Sequence, residues 1–189
     1  MFKRSIAMVT GVSAVLLCSQ IFAAPNTDDD RVYVKVDLGS TTYNAYEGTG
    51  TVQSESKVGD LFALGVGLEI SPIFAFELTH NEFGKQEGQI DNGGLEGFEN
   101  KVSSNALSVI PTLPIGKKTQ FFVELGEHVW EAESKQGAVK NNTDGSDFFY
   151  GFGLNYEVKS NLRTGFEFSH YDIASEDFKT LNVSLAYIF

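Results

Sequence analysis

Cysteine is almost missing from this chain of 189 residues. Cys18 is its single example, which excludes a disulfide framework and any multi-cysteine zinc site within one chain. Basic side chains are scarce, 14 against 25 acidic ones, for a formal charge of −11. They are also scattered, so the clustered Lys and Arg that track nucleic-acid phosphates are lacking, and no nucleic-acid partner is expected. Helical periodicity is missing from Arg31 onward, and mean hydropathy is −0.11. A bundle of membrane-spanning helices is thereby excluded. Proline, at 4 residues, and tryptophan, at 1, are rare, whereas there are 16 Phe and 19 Gly. This is the composition of one β-rich domain with aromatic surfaces.

Lys3 and Arg4 precede an apolar stretch from Ile6 to Leu17, and Cys18-Ser-Gln-Ile-Phe-Ala-Ala-Pro25 follows. The pattern is that of a Sec-type signal peptide, too short for a spanning helix. Ile21 and Ala23 suit the −3 and −1 positions, so cleavage is expected after Ala23. Residues 1–23 are then the leader, residues 24–30 a short periplasmic tail, and residues 31–189 the folded domain. Leu17 stands where a lipobox needs a small residue, which argues against a lipid anchor on Cys18. Loss of Lys3 and Arg4 leaves an exported, cysteine-free chain of charge −13.

From Arg31 the dominant period is two, the period of a β-strand. Leu181, Val183, Leu185, Tyr187 and Phe189 alternate with Asn182, Ser184, Ala186 and Ile188. Val32, Val34, Val36 and Leu38 alternate with Tyr33, Lys35 and Asp37, and the same pattern runs through Leu64 to Ile70 and Phe74 to Leu78. Further strands are expected near Asn105–Leu113, Gln120–Trp130, Asp147–Val158 and Leu162–Tyr171. That makes about eight strands of roughly ten residues, the length a tilted strand needs to cross a bilayer. Their links alternate between short (Ser71-Pro72, Pro114–Lys118, Lys159–Asn161) and long and polar (Ser40–Lys57, Gly84–Lys101, Glu133–Ser146, with a shorter one at Asp172–Asp177). Short periplasmic turns and longer outer loops are the rule for outer-membrane barrels.

Alternation alone also fits a soluble barrel with its apolar face inward. The aromatics favour the membrane. With the apolar face outward, Phe74, Phe121, Tyr156, Tyr187 and Phe189 fall at the periplasmic end, and Phe62, Phe148 and Tyr150 at the outer end. Two girdles are what membrane interfaces favour. The expected fold is an all-β, eight-stranded antiparallel up-and-down transmembrane barrel with a narrow polar lumen. The inward row is rich in glycine (Gly65, Gly67, Gly126, Gly151, Gly153, Gly165), which is expected to leave room for long polar side chains.

Phe121-Phe-Val-Glu-Leu-Gly-Glu-His-Val-Trp130, Asp144-Gly-Ser-Asp-Phe-Phe-Tyr-Gly-Phe-Gly153, Asn161-Leu162, Phe166-Glu167, Tyr171-Asp172 and Leu181-Asn-Val-Ser-Leu-Ala-Tyr-Ile-Phe189 follow one another in order. Together they resemble the small OmpA-like, porin-family outer-membrane β-barrel proteins. The resemblance spans nearly all of the exported chain. It implies a bacterial outer-membrane location among lipid and lipopolysaccharide, and a terminal signal, Tyr187 and Phe189, read by the barrel-assembly machinery. A monomer is expected, and because the last strand runs to Phe189 the peptidoglycan-binding module of larger OmpA proteins is not expected. Relatives often carry a basic residue at the position of Glu124 and an Arg at that of Gly165.

Inward-facing charges are expected at Lys35, Asp37, Glu69, Glu77, Glu124, Glu157, Arg163 and Glu167, six acids against two bases. Glu77, Glu124 and Glu167 fall at similar mid-height. Such carboxyls must be protonated, hydrated or paired with Lys35 and Arg163. They read as polar filling of a plugged lumen, or as the lining of a narrow cation-preferring channel, since acidic rings favour cations. A structural or surface-interaction role is the leading expectation. A lipid A-modifying enzyme ranks third, because Ser169 and His170 point to opposite faces of one strand and cannot share a catalytic site. His170 and His80 are read as outer-rim residues and His128 as a lumen-mouth residue beside Trp130. No metal site or cofactor is expected. Asn142–Asp147 lacks the spacing and bidentate Glu of a calcium loop and is read as a surface turn. The outer links sum to about −6 from their charged residues, whereas Lys117, Lys118 and Lys159 make the periplasmic turns basic.

Overall fold

The alternating apolar row that opens at Val32 becomes the first stave of a closed antiparallel sheet in the computed structural model. Residues 31–43, 51–55, 58–91, 95–137, 139–174 and 176–189 are described. The leader and the tail read over residues 1–30 therefore lie outside the described residues. The strands are β1 (Arg31–Tyr43), β2 (Thr51–Glu55), β3 (Val58–Ser71), β4 (Phe74–Asp91), β5 (Leu95–Pro114), β6 (Thr119–Gln136), β7 (Val139–Lys159), β8 (Leu162–Ile173) and β9 (Glu176–Ile188). β1 pairs with both β3 and β9, and each of β3 to β8 pairs with its successor, so eight staves close into a ring. β2 pairs only with the outer end of β4 and continues the β3 stave outward. Closure leaves no edge at membrane depth, as a bilayer without hydrogen-bonding partners requires.

The short turns fall where expected, at Pro72-Ile73, at Ile115–Lys118 and at Ser160-Asn161. Two of the long links do not. Gly84–Lys101 and Glu133–Ser146, read as loops, are mostly strand. β4 stays paired with β5 as far as Asp91 opposite Leu95, and β6 with β7 as far as Gln136 opposite Val139. Asn142–Asp147, read as a surface turn, is strand within β7, opposite Val129 to Glu133 on β6 in reverse order except at its inner end, where Asp147 meets His128. Above the bilayer both faces of the β6–β7 hairpin meet water, so hydrophobic alternation fades while the backbone ladder persists. Gly84, at φ +77°, sits where the β4–β5 register shifts between Glu82 and Lys85. A Cβ there would press on the backbone of Asp60, and the left-handed φ suits glycine alone.

The ring is consequently lopsided. β8 and β9 stop at Ile173 opposite Glu176, and β1 and β3 at Thr42 opposite Val58, while β4 to β7, joined by β2, rise well beyond them. Outward faces carry Leu64, Leu78, Leu107, Leu125, Phe152, Phe166, Val183 and Leu185, all exposed. Inward faces carry the charges and a second set of aromatics.

Candidate functional site

The interior has three layers, because each stave repeats one order of residue types along its inward row. At the periplasmic end Tyr33, Ala75, Ile110, Phe122, Ala186 and Ile188 form an apolar cluster. At the outer end Leu61, Phe83, Val102, Ala106, Trp130, Phe149, Tyr171, Ile173 and Phe178 form a larger one. The charged side chains lie between these clusters or beside the lower one.

Lys35 is the hub of the middle layer. Its Nζ lies 2.7 Å from Glu77 Oε1, 3.5 Å from Asp37 Oδ2 and 3.7 Å from Glu167 Oε2. Glu77 also accepts hydrogen bonds from the Tyr33 hydroxyl (2.6 Å) and the Thr79 hydroxyl (2.8 Å). Ser169 donates to Glu167, and Glu124 packs beside Glu167. All four acids are buried. Arg163 belongs to a lower group. It pairs with Glu69 at 2.6 Å and lies 3.7 Å from Glu157, and Arg31 approaches Glu69 at 2.7 Å. Lys35, Asp37, Glu77, Glu124 and Glu167 thus come together, whereas Arg163 stands apart from the three mid-height glutamates. Among the described residues no group of three or more His, Cys, Asp or Glu side chains has the arrangement of a metal centre.

The inward glycines do more than make space for charge. The rings of Tyr33, Phe149 and Phe122 lie where side chains on Gly67, Gly126 and Gly153 would otherwise sit, and Trp130 covers Gly145 in the same way. The sequence set Tyr33 on the row of Lys35 and Trp130 at the lumen mouth, but the inward rings of Phe83, Phe122, Phe149 and Tyr171 were missed. Their signal was parity: Tyr33 shares a face with Lys35, Phe83 with Glu77, Phe122 with Glu124, and Tyr171 with Glu167.

His128, fully buried, contacts the Asp172 carbonyl oxygen at 3.1 Å through Nε2 and meets Tyr171 and Phe149 edge-on. The Trp130 indole N–H donates to Asp147 at 2.7 Å. Outside the ring, His170 stacks on Tyr150 and lies 3.1 Å from Asp177, while Ser169 is fully buried inside. The two side chains are thus separated by the barrel wall. Phe148, Phe62 and Tyr150 are exposed toward the outer end, and Tyr156 and Tyr187 toward the periplasmic end, with Phe74 and Phe121 partly covered there. Phe189 packs edge-on to Tyr187 at 5.1 Å.

Above the bilayer a ladder of charge crosses four strands. Lys85 on β4 reaches Glu99 on β5, Lys135 on β6 reaches Glu99 and Glu133, and Lys140 on β7 reaches Glu133 at 2.6 Å. Hydrogen bonds from Lys140 and Lys135 hold the Glu133 carboxyl below its ordinary range, and the bond to Glu133 raises Lys135. The far side of this sheet is open. β7 pairs with β8 only from Phe149 inward, so among the described residues Val139–Phe148 has a partner on one edge alone. That is about 33 Å of strand.

The family described as "Outer membrane protein beta-barrel domain" matches residues 10–189. The chain belongs to that family. Among curated relatives of this outer-membrane barrel protein, "Outer membrane protein A" of Escherichia coli O157:H7 is 25% identical over 176 residues. The match takes in 89% of this chain and 47% of that protein, so the chain spans about half the length of the relative. The barrel superposes on Ail of Yersinia pestis with a TM-score of 0.61 at 12% identity, covering 85% of this chain and 99% of Ail. Neisserial surface protein A gives 0.61 at 13% identity (84% and 97% covered). OprG of Pseudomonas aeruginosa gives 0.60 at 10% identity (85% and 96% covered). These similarities establish the fold, and family and neighbours alike imply the bacterial outer membrane.

Proposed function

We propose that this outer-membrane barrel protein is a surface-interaction protein, a closed and non-catalytic barrel that holds a β-sheet clear of the bilayer for a partner to bind. The observation that carries this reading is the outer edge of β7 at Val139–Phe148, which has no partner strand among the described residues. Its free N–H and C=O groups are a template for an added strand, a mode in which the backbone supplies affinity. Ail has been crystallised with the heparin analogue sucrose octasulfate. Here Lys85, Lys135 and Lys140 are already held by Glu99 and Glu133, which favours an extended polypeptide over a polyanion.

The reading of the lumen as a cation-preferring channel draws on the acidic middle layer. The outer apolar cluster weighs against it, since an ion crossing the lumen would have to pass that cluster without water. Tyr187 and Phe189, lipid-facing at the end of the last stave, fit a role as the signal handed to the barrel-assembly machinery. The exposed apolar belt fits contact with outer-membrane lipid and lipopolysaccharide.

The test compares cells displaying the intact barrel with cells displaying one whose β6–β7 hairpin is shortened between Glu133 and Ser146. Adhesion to host cells or matrix protein should be lost on shortening, and planar bilayers holding the intact barrel should show no steady ion current. Equal adhesion by both forms, or a cation-selective current, overturns the proposal.

A further inference from the structure

On the inner wall β1 and β9 meet along a seam of oxygen atoms. Thr41 stands opposite Thr180, Gly39 opposite Asn182, and Asp37 opposite Ser184. On the other flank of β9, Asn182 stands opposite Glu167. Asp37, Thr41, Thr180 and Asn182 are each at most 6% exposed. Asp37 Oδ1, Thr41 Oγ1, Thr180 Oγ1 and Asn182 Oδ1 have no hydrogen-bond partner. Buried polar atoms are nearly always satisfied, and four orphans along one pair of strands call for a common partner.

Charge says what kind. Lys35 is the one base in the middle layer, and it lies closest to Glu77, at 2.7 Å, leaving Asp37 and Glu167 at 3.5 and 3.7 Å from the same Nζ. Four carboxyl groups, those of Asp37, Glu77, Glu124 and Glu167, share that single ammonium. Protons settle part of such an excess, but each carboxyl proton donates to one acceptor at a time, so a shared proton leaves most of the four orphans without a partner. Water satisfies a hydroxyl or an amide but adds no positive charge. A metal cation does both.

The geometry restricts where it sits. Thr41 and Asp37 are four residues apart along β1, too far for one ion to bind both. Asp37, Asn182 and Glu167 converge instead. The two carboxylates approach the same Lys35 Nζ, and Asn182 is the direct neighbour of Glu167 and diagonal to Asp37 across Gly39. Directly opposed side chains are about 5 Å apart at Cβ and diagonal ones about 7–8 Å, within reach of carboxylate and amide oxygens. We propose that the lumen holds one small hard cation between Asp37 Oδ1, Asn182 Oδ1 and the Glu167 carboxylate, with water continuing to Thr41 and Thr180. Carboxylate, amide and hydroxyl oxygens are the donor set of sodium and calcium rather than of zinc or copper. Entry is from the periplasm. A cavity of about 30 Å³ runs from Ser71 and Pro72 to Lys35, Glu167 and Ser184, whereas the outer aromatic cluster seals the other end. The site is a blind socket, and it stands independently of what the outer sheet binds.

The test uses the barrel folded in detergent micelles and freed of metal by chelator in choline chloride. NaCl or CaCl2 replaces choline at constant ionic strength, read by calorimetric titration and by the temperature of the heat-induced gel-mobility shift. One of the two cations should raise that temperature saturably, with one ion bound per chain. Asp37→Asn and Asn182→Leu should each weaken binding at least tenfold, Asn182→Asp should tighten it, and Glu133→Gln on the outer sheet should leave it unchanged. Because the ion dependence is read within each variant, a change in basal stability does not confuse the result. The proposal is overturned by no saturable response to either cation, by a response that survives Asn182→Leu, or by one lost in Glu133→Gln.

Discussion

Val66→Arg is the sharpest probe of which face meets lipid. Val66 lies in the outward row of β3, opposite Val34 on β1 and Leu78 on β4. Leu64 and Leu68 flank it, and Phe62 and Ile70 lie four residues away on either side. At about 3.3 Å per residue either end of that row is ~13 Å distant, so a guanidinium cannot reach an interface by bending along the strand. A lipid-facing arginine at the midplane costs about 2–4 kcal/mol, falling to about 0–1 kcal/mol near the interfaces. Phe148→Arg, at an outer-rim side chain that is 79% exposed, is the matched control. Urea titration in lipid vesicles measures both, and the protein supplies its own probe. Trp130 is the single tryptophan and sits inside the outer cluster, so its emission follows opening of the barrel. A loss below about 1 kcal/mol for Val66→Arg, or one equal to that of Phe148→Arg, would refute the assignment of faces.

Gly67→Ala should cost about 1–3 kcal/mol by forcing the Tyr33 ring off β3, whereas Gly65→Ala, whose Cβ would approach the Glu77 carboxylate at 3.1 Å and the Thr79 hydroxyl at 3.3 Å and so asks for a shift of only a few tenths of an ångström, should cost clearly less in the same titration. The reverse order would mean that the inward ring is misplaced. Asp147→Ala should cost about 1–3 kcal/mol by orphaning the Trp130 indole N–H and should shift its emission; an unchanged spectrum contradicts the 2.7 Å bond. On the outer sheet, the depressed Glu133 carboxyl stabilises the hairpin fully above the ordinary glutamate range, and that contribution disappears as pH falls through the depressed value. The raised Lys135 acts in the opposite sense, its contribution being lost as pH rises through its raised value. Amide exchange across β6–β7, corrected for intrinsic rates, should accelerate at both extremes and with added salt. Persistence of the acid limb in Glu133→Gln would assign it elsewhere.

Strand number, the outward rows and the inward position of Lys35, Asp37, Glu77, Glu124 and Glu167 were legible in the sequence, because a period of two fixes which face each side chain takes once pairing begins. The lengths of β4 to β7 were not. Above the bilayer no apolar face is needed, so Glu87, Lys101 and Asn142 look like loop residues although the ladder runs through them. Parity put Tyr33, Phe122 and Trp130 on the inside, but not their seating over Gly67, Gly153 and Gly145, which depends on the register between neighbouring strands. Register likewise separated Arg163 from the mid-height glutamates by bringing it to Glu69. It also set Asn182 between Gly39 and Glu167. Sequence by itself determined a barrel and its two faces, since that much depends on neighbours along the chain. Which charges meet, which end of the lumen is sealed and which strand edge stays open depend on neighbours across the sheet, and only closure of the ring decided those.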